Sequence, residues 1–119
     1  MKIFTDEQRR DLLVTALEGG SNYWYFLPSL EMVKHQPGEA TVEAIFRMVN
    51  EEGYQIPVND LEERDDVLGW IDKRSMDAAE VMMMEESRWA VAQELAGDGD
   101  AITADVWFQY VVMGEIVFG

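Results

Sequence analysis

The chain has 119 residues, of which 24 are Asp or Glu and nine are Lys or Arg, so its formal net charge at pH 7 is −15. This charge repels nucleic acids and anionic membrane surfaces, and it makes basic protein surfaces the expected partners. The hydrophobic share of 48% is too high for a disordered acidic tail, so we expect an acidic surface around a folded core.

The absence of cysteine excludes disulfides, thiolate metal sites and a cysteine nucleophile, and it fits a reducing cytosol. The first residues, Met1–Glu7, reach charge too soon for a signal peptide, and the apolar run Val106–Met113 is too short to span a bilayer. The length is typical of one domain. We therefore expect a single compact domain, residues 1–119, in the cytoplasm.

The first element is a helix that begins at a capping box, Thr5–Gln8, and stops at Gly19 and Gly20. Four consecutive aromatic residues, Tyr23–Phe26, follow it, before Pro28. This row is too dense for a two-faced helix, so part of it is expected to lie against the core or a partner.

The middle of the chain predicts a helix and a β-hairpin. Apolar residues recur at helical spacing over Val42–Val49, with Thr41 as the predicted cap and Gly53 as the terminator. Alternation over Tyr54–Val58 predicts a strand, and Val67–Ile71 is a second short apolar run. The acidic connection between the two runs predicts a hairpin with a long loop.

The last part of the chain predicts three more helices. Ser75 is the predicted cap of a helix through Met84 or beyond, and Ser87 restarts a helix that carries Trp89–Leu95 up to Gly97. From Ile102 to Val117 apolar residues recur at helical spacing, with Thr103 as the predicted cap, although the composition also suits a strand. The predicted fold class is α+β, mostly helical, with a small antiparallel sheet and a buried C-terminal helix.

No residue pattern specifies a reaction. His35 is the only histidine and has no partners at metal-ligand spacing, so a surface loop residue is the interpretation we favour. The turn at Asp98 lacks the glycine and glutamate of a calcium loop. Asp105 and Glu115 stand among apolar residues and are the best carboxylates for an enzyme, but the helix dipole alone accounts for Asp105. We predict no catalytic, cofactor-binding or metal-binding residue.

The densest charge run, Asp60–Asp66, places five acids in seven residues. It is either a solvated hairpin loop or a phosphate-like surface that occupies the nucleic-acid groove of another protein. Even spreading of the acids would not imitate DNA, so such a mimic needs clustering. The predicted partner-binding residues combine this run with further acids and two aromatic residues: Asp60, Glu62, Glu63, Asp65, Asp66, Glu51, Glu52, Tyr23 and Trp24.

Several stretches resemble a family of small acidic proteins encoded by bacteriophages and prophages: Ala16–Trp24, Ile56–Val58, Leu68–Gly69, Thr103–Gln109 and Gly114–Gly119. The resemblance covers about half of the chain, and the family's biochemical role is not established, so no functional residue carries over. It implies a bacterial cytoplasm during phage infection or lysogeny as the setting.

Charge and resemblance together predict a non-enzymatic phage protein that binds a basic surface on a bacterial host or defence protein and inhibits it. The expected target is a nucleic-acid enzyme or a defence factor, with no direct contact to nucleic acid or membrane. The alternative is a structural or assembly protein that forms homo-oligomers, a homodimer in the simplest case, with acidity serving only solubility.

Overall fold

The first helix begins at the predicted capping box. In the computed structural model, which describes residues 2–119, helix α1 spans Asp6–Thr15. Thr5 Oγ1 accepts from the backbone N–H of Gln8 at 3.1 Å, and the Thr5 N–H donates to Gln8 Oε1 at 2.9 Å. A π-helical turn, Ala16–Gly20, continues α1 to the predicted glycine stop.

The predicted hairpin is confirmed, and it belongs to a three-stranded antiparallel sheet. Strand β2, Ile56–Asp60, pairs with β3, Val67–Ile71, on one side and with β1, Tyr25–Phe26, on the other, so the order in the sheet is β1-β2-β3. Strand β1 is Tyr25–Phe26, inside the aromatic row, where the sequence predicted no strand. Tyr54 lies before β2 rather than in it, because Gly53 in the left-handed conformation ends the preceding helix there.

The other helices occupy the predicted regions, but three predicted caps are wrong. Helix α2 spans Thr41–Glu52, α3 spans Lys73–Glu86, α4 spans Arg88–Leu95 and α5 spans Ala101–Met113. The N-cap positions are Ala40, Asp72 and Asp100 rather than Thr41, Ser75 and Thr103. An aspartate three residues upstream is the better cap in two cases, because its carboxylate reaches the free N–H groups of the first turn.

Helix α5 resolves the ambiguity of the C-terminal apolar segment in favour of a helix. Its buried residues surround most of its circumference, from Thr103 to Val112, and it packs against α1, α3 and β3. The helix ends at Gly114 in the left-handed conformation, so Val117 lies beyond it and is exposed. The α+β, mostly helical fold class with a buried C-terminal helix is confirmed.

A fully buried ion pair between Arg9 and Glu80 links helix α1 to helix α3. Arg9 Nε donates to Glu80 Oε2 at 2.6 Å and Arg9 Nη2 to Glu80 Oε1 at 3.0 Å, and neither side chain is exposed. Glu80 also accepts from the backbone N–H groups of Ile3 and Phe4 and from the Trp107 indole. The carboxylate thus joins α1, α3 and α5, an arrangement that buries a charge only because every side of it is bonded.

Candidate functional site

The acidic run forms an ordered loop between β2 and β3, and we call Asp60–Asp66 the acidic loop. Asp60 Oδ1 accepts from the backbone N–H groups of Glu62 at 2.7 Å and Glu63 at 3.1 Å. The Asp60 N–H donates to the carbonyl of Asp66 at 2.9 Å, and the Asp66 N–H to that of Glu63 at 2.8 Å. An aspartate that bonds the backbone two residues on is typical of a tight turn. Asp60 therefore organises the loop.

Arg64, the single base in the acidic loop, does not neutralise it. Its guanidinium carbon lies 4.5 Å from the centre of the Phe26 ring, and its Nε donates to the Leu61 carbonyl at 3.3 Å. Its own carbonyl accepts from Asn59 Nδ2 at 2.7 Å. Arg64 is thereby held over an aromatic face and contributes a cation–π contact.

Four acidic side chains of the loop remain exposed and free of basic partners. Within residues 2–119, none of the ion pairs includes Glu62, Glu63, Asp65 or Asp66. The loop therefore presents concentrated negative charge on a fixed backbone.

The structure does not bring Glu51 and Glu52 to the acidic loop. They end helix α2 and precede β2, whereas the loop follows β2, so the two groups lie at opposite ends of this strand. Four steps of a strand separate Ile56 from Asp60, which corresponds to roughly 13 Å. Glu51 and Glu52 therefore do not adjoin the acidic loop, and an acidic face that combines both groups would have to extend along β2.

Glu51 belongs to a separate cleft of about 430 Å³ between α1 and α2. Arg47 lines this cleft and donates hydrogen bonds to the carboxylates of Glu39, at 2.9 Å, and Glu52. The Arg47 hydrogen bond is the main reason that the pKa of Glu39 lies below its usual range. Half of the lining residues are acidic: Asp6, Glu7, Arg10, Gln36, Glu39, Glu43, Phe46, Arg47, Asn50 and Glu51.

The aromatic row runs beside the acidic loop. The Leu61 N–H donates to the carbonyl of Trp24 at 2.9 Å, and Tyr25 pairs with Asp60 in the sheet. Tyr23 is half exposed, as a partner-binding residue requires, but Trp24 is only 2% exposed. The indole of Trp24 is thus part of the core, and the prediction that it contacts a partner is corrected for this conformation.

The burial of Trp24 follows from Asp105, whose role the sequence analysis missed. Asp105 accepts from Ser21 Oγ at 2.7 Å, Trp24 Nε1 at 2.8 Å and Tyr23 OH at 2.6 Å. Gln109 Nε2 donates a fourth hydrogen bond at 3.2 Å. The carboxylate therefore anchors the aromatic row to α5. The sequence did contain a signal for this contact, because the indole N–H and phenol groups of buried Trp and Tyr side chains need hydrogen-bond acceptors.

Tyr23 and the C-terminal residues complete this anchor. Burial, followed by the hydrogen bond to Asp105, raises the pKa of Tyr23 to about 12. Gln109 Oε1 accepts from the backbone N–H groups of Val117 and Phe118, and the Phe118 ring stacks on Trp24 at 5.4 Å. The last residues of the chain thus cover Trp24, while Tyr23 stays half exposed.

The remaining candidate residues, His35 and Glu115, lie on the surface. His35 is exposed and its Nε2 lies 3.0 Å from Thr41 Oγ1, which confirms a surface position. Glu115 is exposed after α5. Among residues 2–119, no three metal-ligating side chains are grouped closely enough to hold a metal ion, and no helix there has the length and apolarity needed to cross a membrane.

In comparisons with protein-family models, curated proteins and solved structures, nothing matches this chain. The acidic loop is therefore the structural feature that bears on function.

Proposed function

We propose that this chain is a non-enzymatic, phage-encoded acidic binding protein that inhibits a bacterial nucleic-acid enzyme or defence factor in the host cytoplasm. The observation that carries the proposal is the acidic loop, in which Glu62, Glu63, Asp65 and Asp66 are exposed and unpaired within the described residues 2–119. The partner surface that fits it is basic.

The charge density of the loop supports mimicry of one nucleic-acid strand. Glu62–Asp66 would span about 14 Å if it were extended, and one strand of duplex DNA carries about four phosphates over that distance. The Asp66 N–H donates to the Glu63 carbonyl, so the segment turns and is shorter than this. Its four free carboxylates therefore reach at least the charge density of one phosphate row along the backbone, on a turn rather than on a line.

Preorganisation supports an inhibitory role. The hydrogen bonds of Asp60 fix the loop backbone before binding, so little conformational entropy is lost when a partner docks. The negative potential accelerates encounter with a basic groove, while a neighbouring apolar contact supplies affinity that salt does not screen. The half-exposed ring of Tyr23 stands in the aromatic row beside the loop and provides such a contact.

The test is capture of partners from phage-infected bacterial lysate by the tagged chain, at about 0.1 M and about 0.5 M salt, since this change shortens the screening length roughly twofold. We expect a partner that is retained at low salt, released at high salt and displaced by DNA.

The matched variants remove equal charge from different places. E62Q/E63Q/D65N/D66N neutralises the acidic loop, and E31Q/E85Q/E86Q/E115Q neutralises four other exposed acids that make no hydrogen bond among residues 2–119. We expect only the loop variant to lose the partner. Equal retention by both variants would show that net charge, not the loop, is responsible.

A further inference from the structure

The outer edge of β3 is an open strand edge. Strand β3 pairs with β2 on one side only, and within residues 2–119 no backbone hydrogen bond links Val67–Ile71 to any other segment. Pro57 stands opposite Trp70 and has no N–H, so this is a non-hydrogen-bonded pair. The N–H and C=O of Trp70 consequently point away from β2, toward the open edge.

The edge is apolar and carries neither charge nor proline over Val67–Ile71. Val67 and Trp70 are 54% and 45% exposed. Ile71 and Gly69 face the core, so Trp70 stands on the opposite, solvent-facing side of the sheet. Charge and proline are common devices against strand pairing, and this strand uses neither, although a bulge lies at its start.

Opposite charges flank the two ends of β3. Four free carboxylates of the acidic loop precede the strand, and Lys73 and Arg74 follow it, exposed and outside the ion pairs of residues 2–119. Asp72 also lies at this end, but its carboxylate accepts from the Ser75 N–H at 2.6 Å and from Gln55 at 3.1 Å, so it is committed to capping α3. The strand thus runs from a negative end to a positive end.

We propose that β3 pairs in antiparallel orientation with β3 of a second copy, across a two-fold axis at Gly69. In this register Val67 stands opposite Ile71 of the second copy, and the acidic loop of each copy lies against Lys73 and Arg74 of the other. Parallel pairing would place like charges together at both ends, so the charges select the antiparallel orientation. The result is one continuous six-stranded sheet.

The expected association is weak. Two five-residue strands and their flanks bury less than roughly 1,200 Å², a size typical of transient complexes, so we expect a dissociation constant of about 10–100 µM. The net charge of −15 on each copy opposes association while the flanks favour it. Salt screens both effects, and charge exchange is therefore the sharper test.

The experiment is sedimentation equilibrium of the purified full chain up to about 0.5 mM, well above the expected dissociation constant. We expect the wild-type protein to dimerise. D65K/D66K cancels the net charge of the acidic loop and places positive charge directly before β3, and K73E/R74E makes both flanks negative. Each variant alone is therefore expected to dissociate at least about tenfold more readily. An equimolar mixture of the two restores opposite flanks and is expected to form a heterodimer.

Three results would overturn the proposal: a monomeric wild type at about 0.5 mM, a dimer that ignores both charge variants, or a mixture that stays monomeric. D65K/D66K is informative because it reduces the net charge from −15 to −11, so general repulsion alone predicts stronger association, not weaker. All four substituted side chains are exposed, and circular dichroism checks that the variants are folded.

A second pair of variants tests the backbone edge itself. W70P removes an N–H that faces the open edge, and W70T retains it while also removing the indole. We expect W70P to be less associated than W70T. Equal association would contradict pairing through the edge.

The dimer proposal stands apart from the proposed function. K73E/R74E leaves the acidic loop unchanged, so it is expected to abolish the dimer while partner capture from lysate persists. Partner capture by the loop-neutralised variant tests the proposed function. Sedimentation of the purified chain tests the dimer.

Discussion

Within residues 2–119, Glu80 accepts more long-range hydrogen bonds than any other side chain. It accepts from two backbone N–H groups, from Trp107 and twice from Arg9, which lies 71 positions away in the chain. Five hydrogen bonds stabilise the buried Glu80 carboxylate, whereas Arg9 Nη1 is buried without a hydrogen-bond partner within residues 2–119. Removal of the carboxylate charge therefore leaves the buried guanidinium with still less compensation.

We therefore predict that E80Q lowers the free energy of unfolding by about 3 kcal/mol or more. The neutral amide leaves the buried Arg9 with only the half-exposed Asp77 as its ionic partner, and the amide NH2 group then faces other hydrogen-bond donors. Asp77 also bonds Arg9, at 2.7 Å, but its side chain is 46% exposed. D77N, the matched control, is expected to cost less than about 1 kcal/mol. Urea unfolding of both variants checks this, and similar losses would contradict it.

Tyr23 gives a pH dependence whose sign follows from its pKa. The ordinary value is 10.0 and the folded value is about 12, so folding favours the neutral phenol. This contribution to stability is complete below pH 10 and is lost as the pH rises toward about 12. We predict that Y23F flattens the fall in unfolding free energy over this range.

The measurement is the unfolding free energy against pH, with tyrosinate absorbance recorded in parallel. Burial also raises the pKa of Tyr25, but Tyr25 is present in both wild type and Y23F. The difference between their two stability curves therefore reports Tyr23 alone. D105N removes the charge and weakens the hydrogen bond but leaves the burial, so the Tyr23 pKa is expected to fall only part of the way. Superimposable alkaline curves for wild type and Y23F would refute the assignment.

At the scale of elements, the contact between β3 and α5 decides how the hairpin meets the helices. A Cβ at Gly69 would lie 1.8 Å from the carbonyl oxygen of Val112, so only glycine permits this approach. The sequence identifies neither partner of the contact, because they are far apart in the chain. It does identify both elements from their periodicity.

We predict that G69A destabilises the protein by about 2–3 kcal/mol, because backbone rather than a flexible side chain must move. Gly19 provides the control, since nothing lies within 4 Å of a Cβ there and its φ is not positive. G19A in the π-helical turn is expected to be neutral or stabilising by up to about 1 kcal/mol. Thermal unfolding of G69A and G19A provides the comparison. Equal effects would mean that β3 and α5 can move apart at no cost in stability.

At the scale of the whole molecule, the −15 charge opposes compaction. Few carboxylates are relieved by ion pairs, and those of the acidic loop have none within residues 2–119. The fold is held instead by an apolar core centred on α5, with the Glu80 and Asp105 networks fixing α1 and the aromatic row against it.

We predict that the melting temperature rises by about 3–5 °C between roughly 0.05 M and 0.5 M sodium chloride, because salt screens the repulsion between exposed acids. The neutralised loop variant is expected to start from a higher melting temperature and to gain less from salt. A melting temperature that falls with salt would show that attractive surface pairs dominate.

Short-range patterns sufficed for much of the architecture. These patterns are the capping box at Thr5–Gln8, the glycines that end helices, and the apolar periodicity of the helices and the hairpin. Each involves residues only a few positions apart, so they come into contact independently of the rest of the chain. The loop character of Asp60–Asp66 followed from composition in the same way. The wrong caps at Thr41, Ser75 and Thr103 show the limit, since neighbouring polar residues compete for the same N–H groups.

The assembly of the surface depends on contacts between distant segments. Trp24 is buried because Asp105, 81 positions later, accepts its N–H, and Phe118 covers its ring. Glu51 and Glu52 are separated from the acidic loop because β2 runs between them. Composition and periodicity report which residues are acidic or apolar, but the free energy of packing determines which of them share a face, because it depends on residues that only the folded chain brings together.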